Sequence, residues 1–180
     1  MLIQEYHWAI FIRDAANQPG TISSIVNEYY TWSKIPKHFT RIISSNPWRD
    51  PLYYRMLRHK AKLLMIEEHG QMKAFGWIQS WSPFRRKFQK VIKNGIILGP
   101  FWTAPSERGK GYYGKLLSHA VASYDNTQAL IIYCSPKNTA SYNGIIKANF
   151  RRLGIYRQKY YLNGIFKSII HPLYTDRQIL

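Results

Sequence analysis

A glycine-rich segment, Arg108–Gly114, joins a run of strand-forming residues to a run with helical spacing. The run before it, residues 95–103, is rich in β-branched and aromatic residues, and Pro105 marks its end. Apolar residues after the segment recur at the spacing of one helix face: Leu116, Leu117, Ala120, Val121 and Tyr124. Glycines let such a backbone turn sharply and point its N–H groups at an anion, and the helix start adds a positive dipole end. The junction therefore predicts a phosphate-binding loop, and a solvated Gly/Lys turn is the alternative.

The residues around the glycines limit which kind of phosphate loop this can be. A Walker loop requires Ser or Thr after its Gly-Lys pair, whereas Leu116 follows Gly114 and Lys115. A dinucleotide fingerprint requires an acidic residue about twenty residues further on, where Tyr133 and Cys134 stand. The segment therefore fits neither of these nucleotide-binding loops.

A second strand-to-helix junction follows the first. Residues 129–134 form a short apolar run of the kind that a buried central strand makes, and Pro136 lies in the segment that ends it. Asn138 is a favourable N-cap, and Ile145 and Phe150 supply the apolar side of the helix that it would open. The chain is therefore expected to repeat the strand, turn and helix pattern.

Together the two junctions resemble the two motifs of the GNAT superfamily, the acyl-CoA-dependent N-acyltransferases. Arg108, Gly111 and Tyr113 occupy the marked positions of its Arg-x-x-Gly-x-Gly/Ala loop. Its second motif, Asn-x-x-Ala/Ser followed by a helix that ends in Lys-x-Gly-Phe, is matched from Asn138 onward, with Asn149 in place of the glycine. Asn is the next most tolerant residue for the left-handed conformation at a helix C-terminus. Two motifs in the right order are much more specific than either alone.

The resemblance implies a fold, an activity and a set of binding residues. The fold would be α/β of the mixed α+β kind, one GNAT-like domain over residues 1–180 with a central, mostly antiparallel sheet, splayed central strands and flanking helices. The activity would be transfer of an acetyl group from acetyl-CoA to a primary amine, without a metal. The residues that it assigns to acetyl-CoA lie on one strand, on the loop and on the second helix: Phe101, Trp102, Thr103, Arg108, Gly109, Lys110, Gly111, Tyr112, Tyr113, Gly114, Asn138 and Ser141.

The resemblance assigns no catalytic acid or base to this chain. Many relatives carry a tyrosine on the second helix, thought to protonate the departing CoA thiolate, where this chain has Ile145. Tyr113 also stands where the family prefers glycine or alanine, and no acidic residue lies between Ile92 and Ala104. The remaining candidates stand at a predicted turn or at the end of a strand: Glu67, Glu68, His69, Cys134 and Ser135. A solvated turn is the simpler explanation of Glu67, Glu68 and His69. For Cys134, a buried structural thiol is a simpler explanation than a covalent role.

Periodicity and turn residues predict the rest of the architecture. The expected strands are Tyr6–Ile12, Lys62–Glu67, Met72–Trp81, Arg151–Leu162 and Ile165–Pro172. Turns at residues 68–71 and at Asn163-Gly164 would join the last four into two hairpins. A helix is expected from Thr21 to Trp32, and a short helix with loops over the acceptor side in residues 33–58. The order β, α, β, β, β, α, β, α, β, β is the one that the resemblance implies.

Composition agrees with one enzyme domain. The 180 residues, 46% hydrophobic and 16% aromatic, suffice to bury one sizeable core. One cysteine excludes an internal disulfide, and the six histidines show no metal-binding spacing. The N-terminus lacks the pattern of a signal peptide and no apolar stretch is long enough to span a bilayer, so we expect a cytoplasmic protein.

The net charge predicts an anionic partner. Lys and Arg number 26 against nine Asp and Glu, which leaves +17 and a pI near 10.1. The basic clusters could form a nucleic-acid or ribosome footprint, attract an anionic small substrate such as a nucleotide-linked amino sugar, or form a basic surface without a specific partner. RNA binding would require exposed aromatic residues, whereas most of those here fall at core periodicity. The anionic small substrate is therefore the preferred partner.

Three functions from different classes stay open. The first is an N-acetyltransferase for a small amine. The second is an acyltransferase for a protein N-terminus, a lysine or a ribosome-bound target. The third is a CoA-binding or nucleic-acid-binding module that has lost catalysis, which Ile145 favours. The sequence does not distinguish the acceptor, the acyl chain or the oligomeric state.

Overall fold

One sheet of nine strands runs through the described part of the molecule. The computed structural model describes residues 3–14, 20–45, 56, 60–124, 128–161, 166–167 and 170–176. Its strands are β1 (Ile3–Arg13), β2 (Val26–Tyr29), β3 (Lys62–Glu68), β4 (Gln71–Ser80), β5 (Ile96–Thr103), β6 (Leu130–Cys134), β7 (Arg151–Tyr161), β8 (Phe166–Lys167) and β9 (His171–Thr175). Their order across the sheet is β2-β3-β4-β5-β6-β1-β7-β8, with β9 also paired to β7.

Helices cover both faces of this sheet. They are α1 (Lys37–Ser45), α2 (Arg85–Phe88), α3 (Tyr112–Ala122) and α4 (Thr139–Lys147). Successive residues of a strand point to opposite faces, and β3 illustrates the division. Leu64 and Ile66 pack into the core that α3 and α4 cover, whereas Leu63 and Met65 pack beneath α1.

A third apolar cluster lies on the α1 face, beneath α2. There Phe88 of α2 packs with Ile97 of β5, Ile131 of β6 and Ile10 of β1. The middle strands are thus covered on both faces, which is why their sequences are nearly continuous apolar runs.

The strand pair β5 and β6 is parallel and short, and it determines where the fold opens. Ile96 to Leu98 pair with Leu130 to Ile132, and the pairing ends there. The next residues of β5 are Gly99, with φ of +104°, and Pro100, which has no N–H to offer a ladder. Beyond them β5 follows β4 alone, after a shift of register. The two strands therefore part at their carboxyl ends.

The first strand of the chain lies inside the sheet. β1 pairs antiparallel with β6 on one side, at Ala9 to Arg13, and with β7 on the other, at Ile3 to Ile12. Three of its residues, Ala9, Ile10 and Phe11, are fully buried. The N-terminal segment therefore contributes to the centre of the core on both faces.

Most of the predicted elements are confirmed. The hairpin of β3 and β4 turns at His69 and Gly70, which both have positive φ as a two-residue turn requires. The fold class is the predicted one, mixed α+β with a mostly antiparallel sheet. The predicted turn at Asn163-Gly164 lies outside the described residues, as do 46–55 and 57–59 of the segment in which α1 was expected.

The predicted helix from Thr21 to Trp32 is wrong. Val26–Tyr29 form the edge strand β2, and Trp32–Lys34 form a single 3₁₀ turn. Pairing with β3 hydrogen-bonds the backbone and buries the β-branched Val26 opposite Ile66. The spacing of apolar residues in this segment favours a helix, but it contains no information on the edge of β3 with which the segment pairs.

Candidate active site

A cleft of about 1620 Å³ opens where β5 and β6 part. The ends of the two strands line it, at Phe101–Thr103 and at Tyr133–Ser135. The start of α3 and one side of α4 line it on one face of the sheet. Residues of β1, β7 and α2 line it on the other face. The cleft therefore reaches both faces of the sheet through the gap between the strands.

The glycine loop lies at the start of α3 and borders this cleft. Gly109 and Gly111 both have φ of +83°, and α3 begins directly after Gly111. A Cβ built on Gly109, Gly111 or Gly114 would meet no atom within 4 Å, so the space beside the loop is open. The first N–H groups of a helix have no partner within it and can bind an anion beside the helix start. This geometry is suited to an anion of phosphate size.

An acidic residue, Glu107, anchors the loop to β4. Its carboxylate accepts from Lys73 Nζ at 3.1 Å and from Lys110 Nζ at 2.8 Å. The hydrogen bonds from Lys110 and Lys73 lower the pKa of Glu107. This carboxylate is therefore held as an anion between two ammonium groups, which makes it a poor proton acceptor.

Two adjacent tyrosines at the start of α3 point to different places. The Tyr112 hydroxyl donates to Glu68 at 2.7 Å, and that hydrogen bond is the main cause that raises the Tyr112 pKa to about 12. The Tyr113 hydroxyl lies 3.3 Å from Ser141 Oγ on α4, and burial raises the Tyr113 pKa to about 12. The Tyr113 ring packs edge-on against Phe101. Tyr113 therefore crosses from α3 to α4 along one wall of the cleft.

The start of α4 forms the next part of that wall. The Asn138 side chain accepts from the backbone N–H of Ser141 at 3.1 Å and caps the helix. Gly144 leaves room for the Tyr113 ring, because a Cβ at this position would overlap it. Ile145 is fully buried in the core beneath α3 and α4, so its side chain packs with the core.

Cys134 is the last residue of β6, and Ser135 follows it beside the same wall. Burial raises the pKa of the Cys134 thiol to about 11, so the thiol stays protonated near neutral pH. A thiolate is the nucleophilic form of cysteine, and the environment of Cys134 opposes its formation. The hydroxyl of Ser135 accepts from the backbone N–H of Lys137 at 3.3 Å, as in a turn.

The structure brings together most of the residues that the sequence indicated. Those that line the cleft are Phe101, Trp102, Thr103, Arg108, Gly109, Gly111, Tyr112, Tyr113, Gly114, Cys134, Ser135, Asn138 and Ser141. Lys110 is not among the lining residues, because its ammonium turns to Glu107. Glu67 is not among them either, since it lies beside the β3–β4 turn.

Sequence reasoning missed the opposite wall. It is formed by Trp8 of β1, Lys87 of α2, Tyr133 of β6, and Gln158 and Tyr160 of β7. Lys87 belongs to the basic run Arg85-Arg86-Lys87, which indicates local positive charge but no cleft. The other residues occur in ordinary strand patterns, and nothing local in them indicates a cleft.

Neither a metal site nor a membrane span emerges from the described residues. No group of three or more His, Cys, Asp or Glu in this part of the chain could hold a metal ion. No helix in the same residues is long and apolar enough to cross a membrane.

Comparison with known proteins identifies the fold. No family model and no curated protein sequence matches the chain. A GNAT-family protein from Novosphingobium aromaticivorans matches with a TM-score of 0.62 at 11% identity, over 86% of this chain and 63% of that one. A GNAT-family acetyltransferase from Colwellia psychrerythraea matches with a TM-score of 0.57 at 16% identity, over 84% of this chain and 54% of that one.

A GCN5-related N-acetyltransferase from Sphaerobacter thermophilus is also similar, with a TM-score of 0.56 at 11% identity over 85% of this chain and 50% of that one. The chain thus spans between half and two thirds of the length of these solved proteins. Its fold is that of the GNAT acetyltransferases.

Proposed function

We propose that this protein transfers an acetyl group from acetyl-CoA to the primary amine of an anionic small molecule, such as a nucleotide-linked amino sugar. The observation that carries the proposal is the position of the glycine loop. It begins α3 beside a cleft that opens between two parted strands of a GNAT-like sheet. Acetyl-CoA is a long thioester with a pyrophosphate. The loop would bind its pyrophosphate, and the gap in the sheet would accommodate its extended arm.

The residues present fit acetyl-CoA. Arg108 through Gly114 would hold the pyrophosphate, because the space beside the glycines is open and the helix start favours an anion. The backbone of Phe101–Thr103, which has β4 on one side and the cleft on the other, would pair with the pantetheine arm. Ser141 would lie on the other side of the arm, at the start of α4 that Asn138 caps. Acetyl-CoA supplies an activated acyl group, and the protein positions it.

The proton of the attacking amine would leave to water. Among the described residues that line the cleft there is no histidine, and Glu107 is the one carboxylate. Its two lysine partners and lowered pKa make it a weak base. The rate should therefore follow the fraction of acceptor that is already a free amine in solution.

The charge of the cleft supports an anionic acceptor. The charged side chains that line it are Arg13, Lys87, Glu107, Arg108 and Lys147, four basic and one acidic. A cationic acceptor would meet like charges there, and the one carboxylate is already paired. The net charge of +17 would also attract an anion from solution.

The test compares two glycines of the same backbone conformation. Gly111→Asp places a carboxylate where the phosphate is expected, whereas Gly70→Asp makes the same change at the β3–β4 turn. Both glycines have positive φ, and both have open space where a Cβ would stand, so backbone strain is matched. We expect Gly111→Asp to weaken CoA binding in calorimetry by more than about 100-fold, and Gly70→Asp to leave it unchanged.

Equal CoA affinity in both folded variants would contradict the proposed role of the loop. Tight CoA binding without thiol release, across primary amines of both charges, would favour a binding module that has lost catalysis. Acetylation of peptides in preference to small amines would favour a macromolecular acceptor instead.

A further inference from the structure

The wall of the cleft on the α2 face combines a lysine with aromatic and amide side chains. There the geometry points to a subsite for the acceptor, in which Lys87 binds a carboxylate or phosphate group of the amine substrate. The inference rests on the proposed function, because it says where the acceptor lies. It adds the residue that would determine the choice of acceptor.

Lys87 is held above aromatic rings at the cleft. Its Nζ lies 4.0 Å from the ring centroid of Tyr133, 4.8 Å from that of Trp8 and 5.1 Å from that of Phe88. A ring face attracts an ammonium group without neutralising its charge. The rings therefore hold the Lys87 ammonium group at the wall of the cleft.

Two buried glutamines also line the cleft, and hydrogen bonds hold their side-chain amides in place. Gln158 is 2% exposed, and its side-chain oxygen accepts from the Tyr160 hydroxyl at 3.1 Å. Gln79, on the neighbouring side of the cleft, is also 2% exposed, and its amide donates to the carbonyl of Gly99. Amide and hydroxyl groups that are held in this way suit a polar ligand body.

The subsite is separate from the glycine loop. Lys87 and Tyr133 lie on the face that α2 covers, whereas the loop begins α3 on the opposite face. The gap between β5 and β6 connects the two faces. The pyrophosphate of CoA would therefore lie on the α3 face, and the anionic group of the acceptor would lie on the α2 face. The two anions would not compete for the same basic residues.

The experiment uses two pairs of amines that differ in one anionic group. Glucosamine is compared with glucosamine 6-phosphate, and glycinamide with glycine, by thiol release from acetyl-CoA. Each kcat/KM is expressed per free amine, because the anionic group raises the amine pKa. Calorimetry measures binding of CoA and of each anionic probe alone, so the subsite is tested without turnover. The variants are Lys87→Gln, the charge-conserving Lys87→Arg, and the control Lys90→Gln, an exposed lysine that follows α2 and does not line the cleft.

We expect the wild type to favour the anionic member of at least one pair. Lys87→Gln should lower kcat/KM for that member by about 10- to 100-fold, mainly through KM, because a charge-assisted hydrogen bond is lost. The uncharged member should change by less than about threefold, which separates this role from a merely structural one. Lys87→Arg should restore most of the preference, and Lys90→Gln should behave as wild type.

Several results would overturn the subsite. One is that neither anionic probe binds, and another is that the wild type prefers the uncharged members. A third is that Lys87→Gln lowers kcat/KM equally for charged and uncharged amines. Preference for the phosphate over the carboxylate would identify the source of the anion and support the subsite. Failure to bind CoA, with the anionic probe still bound through Lys87, would overturn the proposed function alone.

Discussion

The adjacent residues Tyr112 and Tyr113 show how one step along a helix start changes the role of a side chain. Tyr112 turns to Glu68 at the β3–β4 turn, and Tyr113 turns along the cleft to Ser141. Both phenols have a pKa raised to about 12. The main cause is the hydrogen bond to Glu68 for Tyr112 and burial for Tyr113. Each therefore keeps its O–H through the neutral range, and the Tyr113 hydroxyl is the one that lies beside Ser141 at the cleft.

We predict that Tyr113→Phe lowers kcat for acetyl transfer by about 10-fold, because it removes a hydrogen bond that the phenol would donate to the departing thiolate. The affinity for CoA should stay unchanged, because the ring still packs on Phe101 and beside Gly144. Because the phenol is protonated below about pH 11, the loss should be the same across an assay between pH 6 and 9. Steady-state kinetics with acetyl-CoA at saturation would measure it.

The matched control is Tyr112→Phe, which removes the same hydroxyl one residue earlier. It should keep kcat near the wild-type value, since its hydroxyl serves Glu68 and not the cleft. If Tyr113→Phe also keeps full activity, the Tyr113 side chain serves packing only, and the departing thiolate is protonated by water.

Among the elements, α4 depends on its first turn. Ile145 of this helix is buried in the core, while Ala140, Ser141, Asn143 and Gly144 line the cleft. One helix thus contributes to both the core and the candidate site. Asn138 caps this helix, and its side-chain oxygen bonds to the N–H of Ser141. The cap therefore fixes the end of the helix that borders the cleft.

We predict that Asn138→Ala lowers the free energy of unfolding by about 1 kcal/mol, the usual loss for an N-cap. Urea unfolding followed by circular dichroism would measure the change. Activity of the folded variant should remain near normal, because the observed bond of Asn138 is the capping one.

Asn138→Asp separates the two possible roles of this residue. The carboxylate keeps the capping oxygen but removes the amide N–H₂ group, so stability should be retained. Full stability with a large loss of acetyl transfer in Asn138→Asp would mean that the amide contacts substrate, against our expectation.

In the molecule as a whole, one carboxylate joins three parts of the fold. Glu28 of β2 accepts from Lys62 of β3 at 3.1 Å and from Ser123, just after α3, at 3.0 Å. It also lies 3.0 Å from His119 Nε2 of α3. This network ties the edge strand to the helix that follows the glycine loop.

We predict that Glu28 makes stability fall in acid. Burial raises the Glu28 pKa, but hydrogen bonds from Tyr30, His119 and Lys62 outweigh it and lower the pKa from 4.5 to about 2. A carboxyl with a depressed folded pKa contributes stability above its unfolded pKa and loses it as pH falls toward the folded value. The free energy of unfolding, measured in urea from pH 7 to pH 3, should therefore decline below about pH 4.5.

Glu28→Gln should reduce stability at pH 7 and flatten this decline. Glu5→Gln, at an exposed carboxylate of β1, is the control and should keep the wild-type profile. An unchanged acid slope in Glu28→Gln would show that other carboxylates cause the decline.

Local features of the fold could be predicted from the sequence with good success. The turn at His69-Gly70, the loop at Gly109 and Gly111, and the two strand-to-helix junctions all appear where they were expected. Each depends on the conformation that a glycine or an asparagine permits, or on alternation within a few residues. These properties are determined by near neighbours and so can be deduced without the fold.

Sequence by itself therefore determined the loop, its helix and the class of sheet. Only the tertiary structure decided that residues 26–29 form an edge strand, that β1 lies between β6 and β7, and that Trp8, Lys87 and Gln158 form one wall of the cleft. These segments lie far apart in the chain, and no local pattern contains their pairing. Strand partners are selected by the free energy of the whole sheet, in which burial on both faces and backbone pairing outweigh the propensity of any one segment.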